Sequence, residues 1–242
     1  MTIKVSPKQT LLGIVAISFL AFPGLMLWAQ QPDSASVVRN VDAAVRARID
    51  NVVGYTVTEH YAVYRANDEI HPVAEMTVKT TYAQNTGKSY AIMSQSGSTV
   101  VRNVVLNTIL DNEKRLNQPC VRESAWITSD NYEMKLEAVG TQTLDGRNCL
   151  ILAVNPRRKA TYLFEGTLWV DSKDGSIVQL QGTASKSSSM LTGPTQLVRQ
   201  YANIGGFSEA THARAVSYGS LLGETIVKID YQDYQIQLRP SL

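Results

Sequence analysis

The stretch Arg147–Thr183, RNCLILAVNPRRKATYLFEGTLWVDSKDGSIVQLQGT, constrains the fold more than any other part of this chain. Its apolar runs, Cys149–Val154, Tyr162–Val170 and Ile177–Leu180, are separated by turns at Asn155–Lys159 and Ser172–Ser176. Branched and aromatic residues bounded by Pro, Asp and Gly predict an antiparallel β-meander. In the second run Tyr162, Phe164, Leu168 and Val170 share one parity, with Gly166 among them. Glu165, Thr167 and Asp171 fall on the other parity, together with Leu163 and Trp169. One face of this strand is fully apolar and the other half apolar.

The flanking chain extends the pattern. Ser36–Asn51 predicts a helix, with Val37, Val38, Val41, Ala44, Val45 and Ile49 at spacings of three and four, Ser34 or Ser36 as N-cap, and Gly54 ending the period. Tyr55–Arg65, Val73–Ala83 and Lys88–Met93 read as antiparallel strands; Glu59 is the exception on the apolar parity of the first. Ser98–Leu116 breaks the alternation with a valine-rich helical stripe of Val101, Val104, Val105, Thr108, Ile109 and Leu116. Tyr132–Ala138 alternates cleanly, and Asp145-Gly146 predicts the hairpin turn into the meander. After a serine-rich loop, Ser185–Thr192, three more strands follow: Gln196–Ile204, Ala210–Tyr218 and Glu224–Leu238. The last switches its apolar parity near Gln232, which predicts a β-bulge. The reading is mainly β with helices (α+β), about ten strands and two helices.

The N-terminus is of another kind. Lys4 and Lys8 precede an apolar run, Leu11 to Trp28, broken by Pro23 and Gly24. Residues 1–29 therefore read as an export signal or as an uncleaved N-terminal membrane anchor, and residues 30–242 as a single domain. Without Lys4 and Lys8 the chain carries 21 basic and 21 acidic residues, and so lacks the basic surplus of a nucleic-acid-binding domain. With 44% hydrophobic residues it has ample material for a core. Cys120 and Cys149 are the only cysteines. An oxidising compartment would allow them to pair, and separate thiols, with Cys149 as a small core residue, are the alternative.

No constellation reads as an active site, no cofactor is implied, and the chain is not read as an enzyme. His60, His71 and His212 lack metal-ligand spacing. Gly87-Lys88-Ser89 lacks the upstream glycine of a P-loop, where Tyr82 stands instead. Asp171-Ser172-Lys173-Asp174-Gly175 has no later Glu to complete a calcium loop and reads as a tight turn. Arg157-Arg158-Lys159 reads as a solvated turn, with lipid headgroups or an acidic partner as its functional alternative.

One resemblance gathers these features. The motif Glu165-Gly166-Thr167-Leu168-Trp169-Val170-Asp171, closed by Asp174-Gly175, resembles the LolA-like outer-membrane lipoprotein-sorting proteins. So do Leu150-Ile151-Leu152, Pro156-Arg157-Arg158-Lys159, and Gly205-Gly206-Phe207 after the strand bearing Tyr201. The resemblance spans roughly residues 36–238 and implies an unclosed antiparallel β-barrel curved around a hydrophobic cavity, with helices covering its concave face. It also implies a periplasmic carrier of lipid or lipoprotein acyl chains; the alternative is a membrane-anchored envelope sensor or assembly factor that binds a protein partner. No ligand contact of the family matches a specific position here. Strand parity instead nominates Met134, Leu136, Leu150, Leu152, Tyr162, Phe164, Leu168, Val178 and Leu180 as the ligand face. The 98–116 helix is expected to cover that face through Val101, Val105 and Ile109. The expected state is a monomer.

Overall fold

The computed structural model describes residues 33–65, 68–137, 141–187, 193–219 and 223–240. The proposed signal or anchor, 1–29, lies outside these residues, as does 188–192 of the serine-rich loop. The order is α1 (Ser34–Asn51), β1 (Val52–Arg65), β2 (Ala74–Ala83), β3 (Gly87–Gly97), then a helix over residues 99–116, here α2. A short 3-10 turn, Arg122–Ala125, leads to β4 (Tyr132–Leu136), β5 (Gln142–Leu144), β6 (Arg147–Pro156), β7 (Phe164–Asp171) and β8 (Ile177–Ala184). Then β9 (Gln196–Ile204), β10 (Phe207–Gly219) and β11 (Gly223–Leu238) complete the described chain.

Helix α1 follows its stripe, with Val37 and Val41 buried. Its N-cap is Asp33 rather than Ser34 or Ser36, and the Asp33 carboxylate accepts from the Ser36 amide at 3.3 Å. It ends at Asn51, before Gly54, because Val52 already pairs with Leu238 in the sheet and ladder pairing outweighs the helical period. Helix α2 holds a π-helical segment, Arg102–Leu106, between α-helical Thr99–Val101 and Asn107–Leu116. The wide turn falls where Val100, Val101, Val104 and Val105 crowd the backbone with branched side chains.

The strands form one antiparallel sheet of 11, in the order β3-β2-β1-β11-β10-β9-β8-β7-β6-β4, with β5 also on β6. Its two ends do not pair, so the sheet is an unclosed barrel. Asp145 and Gly146 both have positive φ (48° and 74°), as a two-residue hairpin turn between right-twisted strands demands. The bulge expected near Gln232 is present: Thr56 pairs with Gln235 but Thr58 with Gln232, and Asp233 has φ 57°. A further shift in the β7–β8 pair sets Trp169 opposite Gln179 and Val170 opposite Ile177. Such bulges bend a sheet. Gly166 faces Gly182 across the same pair, and a Cβ on Gly182 would lie 2.6 Å from the Glu165 carbonyl oxygen. Only glycine permits that approach.

Two apolar clusters hold the helices to the sheet. Val37 and Val41 of α1 pack on Tyr132, Leu152, Leu168 and Leu180. Val101, Leu106 and Leu110 of α2 pack on Tyr61, Val63, Met76 and Ile229. Each helix thus covers its own half of the sheet. This corrects the expectation that α2 lies over the Met134–Leu180 face, which α1 occupies. The cause is connection length: only Ser98 links β3 to α2, which folds back on the strands it has just left.

Other expectations are also corrected. Cys149 is buried, Cys120 is exposed, and both are free thiols, so no disulfide joins them. Burial raises the Cys149 pKa, as suits a small core residue. The Arg157-Arg158-Lys159 turn is exposed to solvent, as expected, and its arginines are anchored as well. Arg157 Nε donates to the Ser129 carbonyl at 2.8 Å, and Arg158 donates to Asn131 Oδ1 at 2.8 Å and to the Ser124 carbonyl. The 171–176 segment is the tight turn expected, with the Lys173 and Ser176 amides donating to Asp171 and Asp174 at 2.8 and 2.9 Å.

Candidate functional site

Between the helices and the sheet lies a cavity of about 840 Å³. Ala44 and Ile49 of α1 and Ile109 and Leu116 of α2 contribute to its helical walls, with Trp126 and Ile127 from the segment after the 3-10 turn. Leu180, Leu197 and Phe207 of β8, β9 and β10 line the sheet side. Its size suits a drug-sized or larger ligand, and much of its wall is hydrocarbon.

The nominated ligand face divides. Tyr162, Phe164, Leu180 and Ile109 line the cavity. Met134, Leu152 and Leu168 do not; they are buried in the cluster under α1, with Leu136 and Leu150 packed against it. Val178 is buried too, but the β7–β8 shift brings Ile177 rather than Val178 to the cavity wall beside Leu180. Val101 and Val105 belong to the second cluster, away from the cavity lining.

Sequence reasoning singled out Glu59 as a charge on an apolar parity but missed the rest of the charged wall. Arg48 of α1 makes a bidentate pair with Glu209 of β10, Nε to Oε1 at 2.8 Å and Nη2 to Oε2 at 2.7 Å, and lies 5.9 Å from the Tyr55 ring centre. Burial works to lower the Arg48 pKa, but Glu209 overrides it and the net shift is upward. Lys88 of β3 donates to Glu113 of α2 at 2.8 Å, and Arg199 of β9 lies 3.9 Å from the same carboxylate. The Lys88 ammonium, against the opposing effect of burial, holds the Glu113 carboxyl at about 2. Burial in turn works against the Lys88 ammonium, yet Glu113 keeps its pKa well above the usual range. Arg122 donates to the Tyr82 hydroxyl at 3.2 Å and to the Gln84 carbonyl. Tyr82 stands opposite Lys88 in the β2–β3 ladder. Glu59 accepts from the Tyr61 hydroxyl and is 2% exposed.

A signal for these residues existed. Glu59 shares the parity of Tyr55, Val57 and Tyr61; Arg199 shares that of Leu197 and Tyr201; and Glu209 shares that of Phe207. A charge on the buried parity of a strand faces the interior.

No family model matches the sequence, and no curated protein matches it. Among solved structures, a DUF1329 family protein from Desulfovibrio piger is similar at 14% identity and TM-score 0.42, over 85% of this chain and 95% of that one. A LolA superfamily protein from Nitrosomonas europaea is similar at 11% identity and TM-score 0.43, over 87% and 96%. A putative outer membrane lipoprotein-sorting protein domain from Vibrio parahaemolyticus is similar at 10% identity and TM-score 0.46, over 84% and 93%. Each of these three TM-scores is below 0.5.

Proposed function

We propose that this chain is a periplasmic carrier that shelters an acyl chain of a lipid or lipoprotein in the cavity between α1, α2 and the sheet. The observation that carries the reading is the cavity of about 840 Å³ with its hydrocarbon walls. Each methylene moved into such a space contributes about 0.8 kcal/mol. Native mass spectrometry of the chain purified from its own envelope tests it, and bound lipid is the expected result. Phe164→Glu places a charge where the cluster borders the cavity, and should empty the protein at a smaller cost in stability than a charge at Leu168. Leu168→Arg charges a site that is 0% exposed and packed under α1, and should unfold it. Wild-type protein that carries no lipid, or a folded Phe164→Glu that carries as much as wild type, would contradict the proposal.

A second reading, an envelope factor that binds a protein, is favoured by the edge strand β3. Ile92 and Met93 there are 53% and 62% exposed. Replacing both by Lys should leave lipid content unchanged and abolish any protein partnership of that edge.

A further inference from the structure

We infer that the ligand is an amphiphile with an anionic headgroup, seated on Arg199 and Arg122 with its chain along the apolar wall. This inference rests on the carrier reading and goes further by assigning the polar end of the ligand. Of the five cations that line the cavity, Arg48 is paired with Glu209 and Arg115 donates to Asn112 on its own helix, which leaves Lys88, Arg122 and Arg199. Among the described residues Glu113 is the carboxylate within 4 Å of Lys88 and of Arg199, and Arg122 has only a hydroxyl and a carbonyl. The Nε atoms of both Arg122 and Arg199 are buried without a hydrogen-bond partner among the described residues. A buried, unpartnered guanidinium donor in a native fold calls for an explanation, and two such guanidinium groups on arginines that line one cavity leave charge there for a group that the protein does not itself supply.

The chemistry of that group follows from the donors. Guanidinium edges present parallel N–H groups that match a carboxylate or phosphate two at a time. Lys88 joins the set through its neighbours, since Arg122 reaches Tyr82 and Tyr82 stands opposite Lys88. A small anion alone would leave the hydrocarbon walls at Ile109, Leu180 and Leu197 empty. An acid-headed chain satisfies both parts of the lining.

Tryptophan fluorescence of the full chain, with Trp126 in the cavity wall, reads the test. Three probes are titrated near neutral pH: dodecanoate, dodecanol and inorganic phosphate. Dodecanoate should bind at least about tenfold more tightly than dodecanol, the low end expected for hydrogen bonds to a charged group. Arg199→Gln should bring the two to parity, Arg199→Lys should keep part of the preference, and Arg122→Gln should reduce it. If Arg199→Gln does not fold, the wild-type preference itself and its reduction in Arg122→Gln decide the matter. Equal binding of dodecanoate and dodecanol to wild type would overturn the inference while leaving the carrier reading intact. Phosphate binding as tightly as dodecanoate would also overturn it, in favour of a small-anion site. No response to either twelve-carbon probe would overturn it together with the carrier reading.

Discussion

Arg48 and Glu209 show what single residues contribute. With Glu209 4% exposed at its side chain, the pair has little water to fall back on, and its bidentate geometry ties the last turn of α1 to β10. Arg48→Met should therefore cost about 3–5 kcal/mol, the range for orphaning one member of a buried ion pair. The double variant Arg48→Met with Glu209→Gln should recover part of this loss; urea unfolding of the three proteins checks it. Neither partner was picked out from sequence, for different reasons. Glu209 falls just before the strand expected to begin at Ala210, which in fact begins at Phe207, whereas Arg48 is one of several arginines between the valines of α1, and helical spacing alone does not say which one turns inward. Asp33 was missed as N-cap because serines follow it at once and any of these residues has the necessary oxygen.

Helix α2 was legible as an element and misplaced as a part. Its stripe found the buried Val101 and the half-buried Val105 and Ile109, included the exposed Val104 and passed over the buried Leu106 and Leu110, and periodicity says nothing about which strands lie beneath it. Its attachment combines the Leu106–Leu110 contact with the Glu113 link to Lys88 and Arg199. Lys88 depresses the Glu113 pKa from 4.5 to about 2, so the unfolded chain binds this proton more readily than the folded one. The stabilisation from Glu113 is then fully present above about pH 4.5 and is lost as pH falls through about 2. Between those values the melting temperature of wild type should fall more steeply than that of Glu113→Gln. Above the acid range the variant should melt lower, because it lacks the charge that Lys88 needs. Parallel melting profiles for the two proteins would show that α2 is held by its apolar face alone.

For the molecule as a whole, curvature is the property that makes a cavity, and it depends on details finer than alternation. Gly166 and Gly182 lie opposite each other, and a Cβ on Gly182 would come within 2.8 Å of the Phe164 ring as well as close to backbone. Gly182→Ala should cost about 1–3 kcal/mol by forcing the β7–β8 pair apart, which thermal unfolding measures. Strand parity told which faces are apolar, but Leu168 and Phe164 share a parity and only one of them borders space. A filled interior and a hollow one are written with the same residues. Strand order was not legible either, and it governs when this fold can form. The first strand, β1, lies between β2 and the last, β11, so the sheet is sewn together by its two most distant strands, Val63 to Val227 and Val52 to Leu238. The seam continues past the strand, where the Arg239 amide donates to the Asn51 carbonyl at 2.7 Å. Closing such a seam demands a loop that holds every strand from β2 to β10, which slows folding. A chain delivered N-terminus first, from a ribosome or a translocation pore, therefore holds β1 with an open edge until Gly223–Leu238 has emerged, and whatever keeps that edge from pairing elsewhere sets the yield of folded protein.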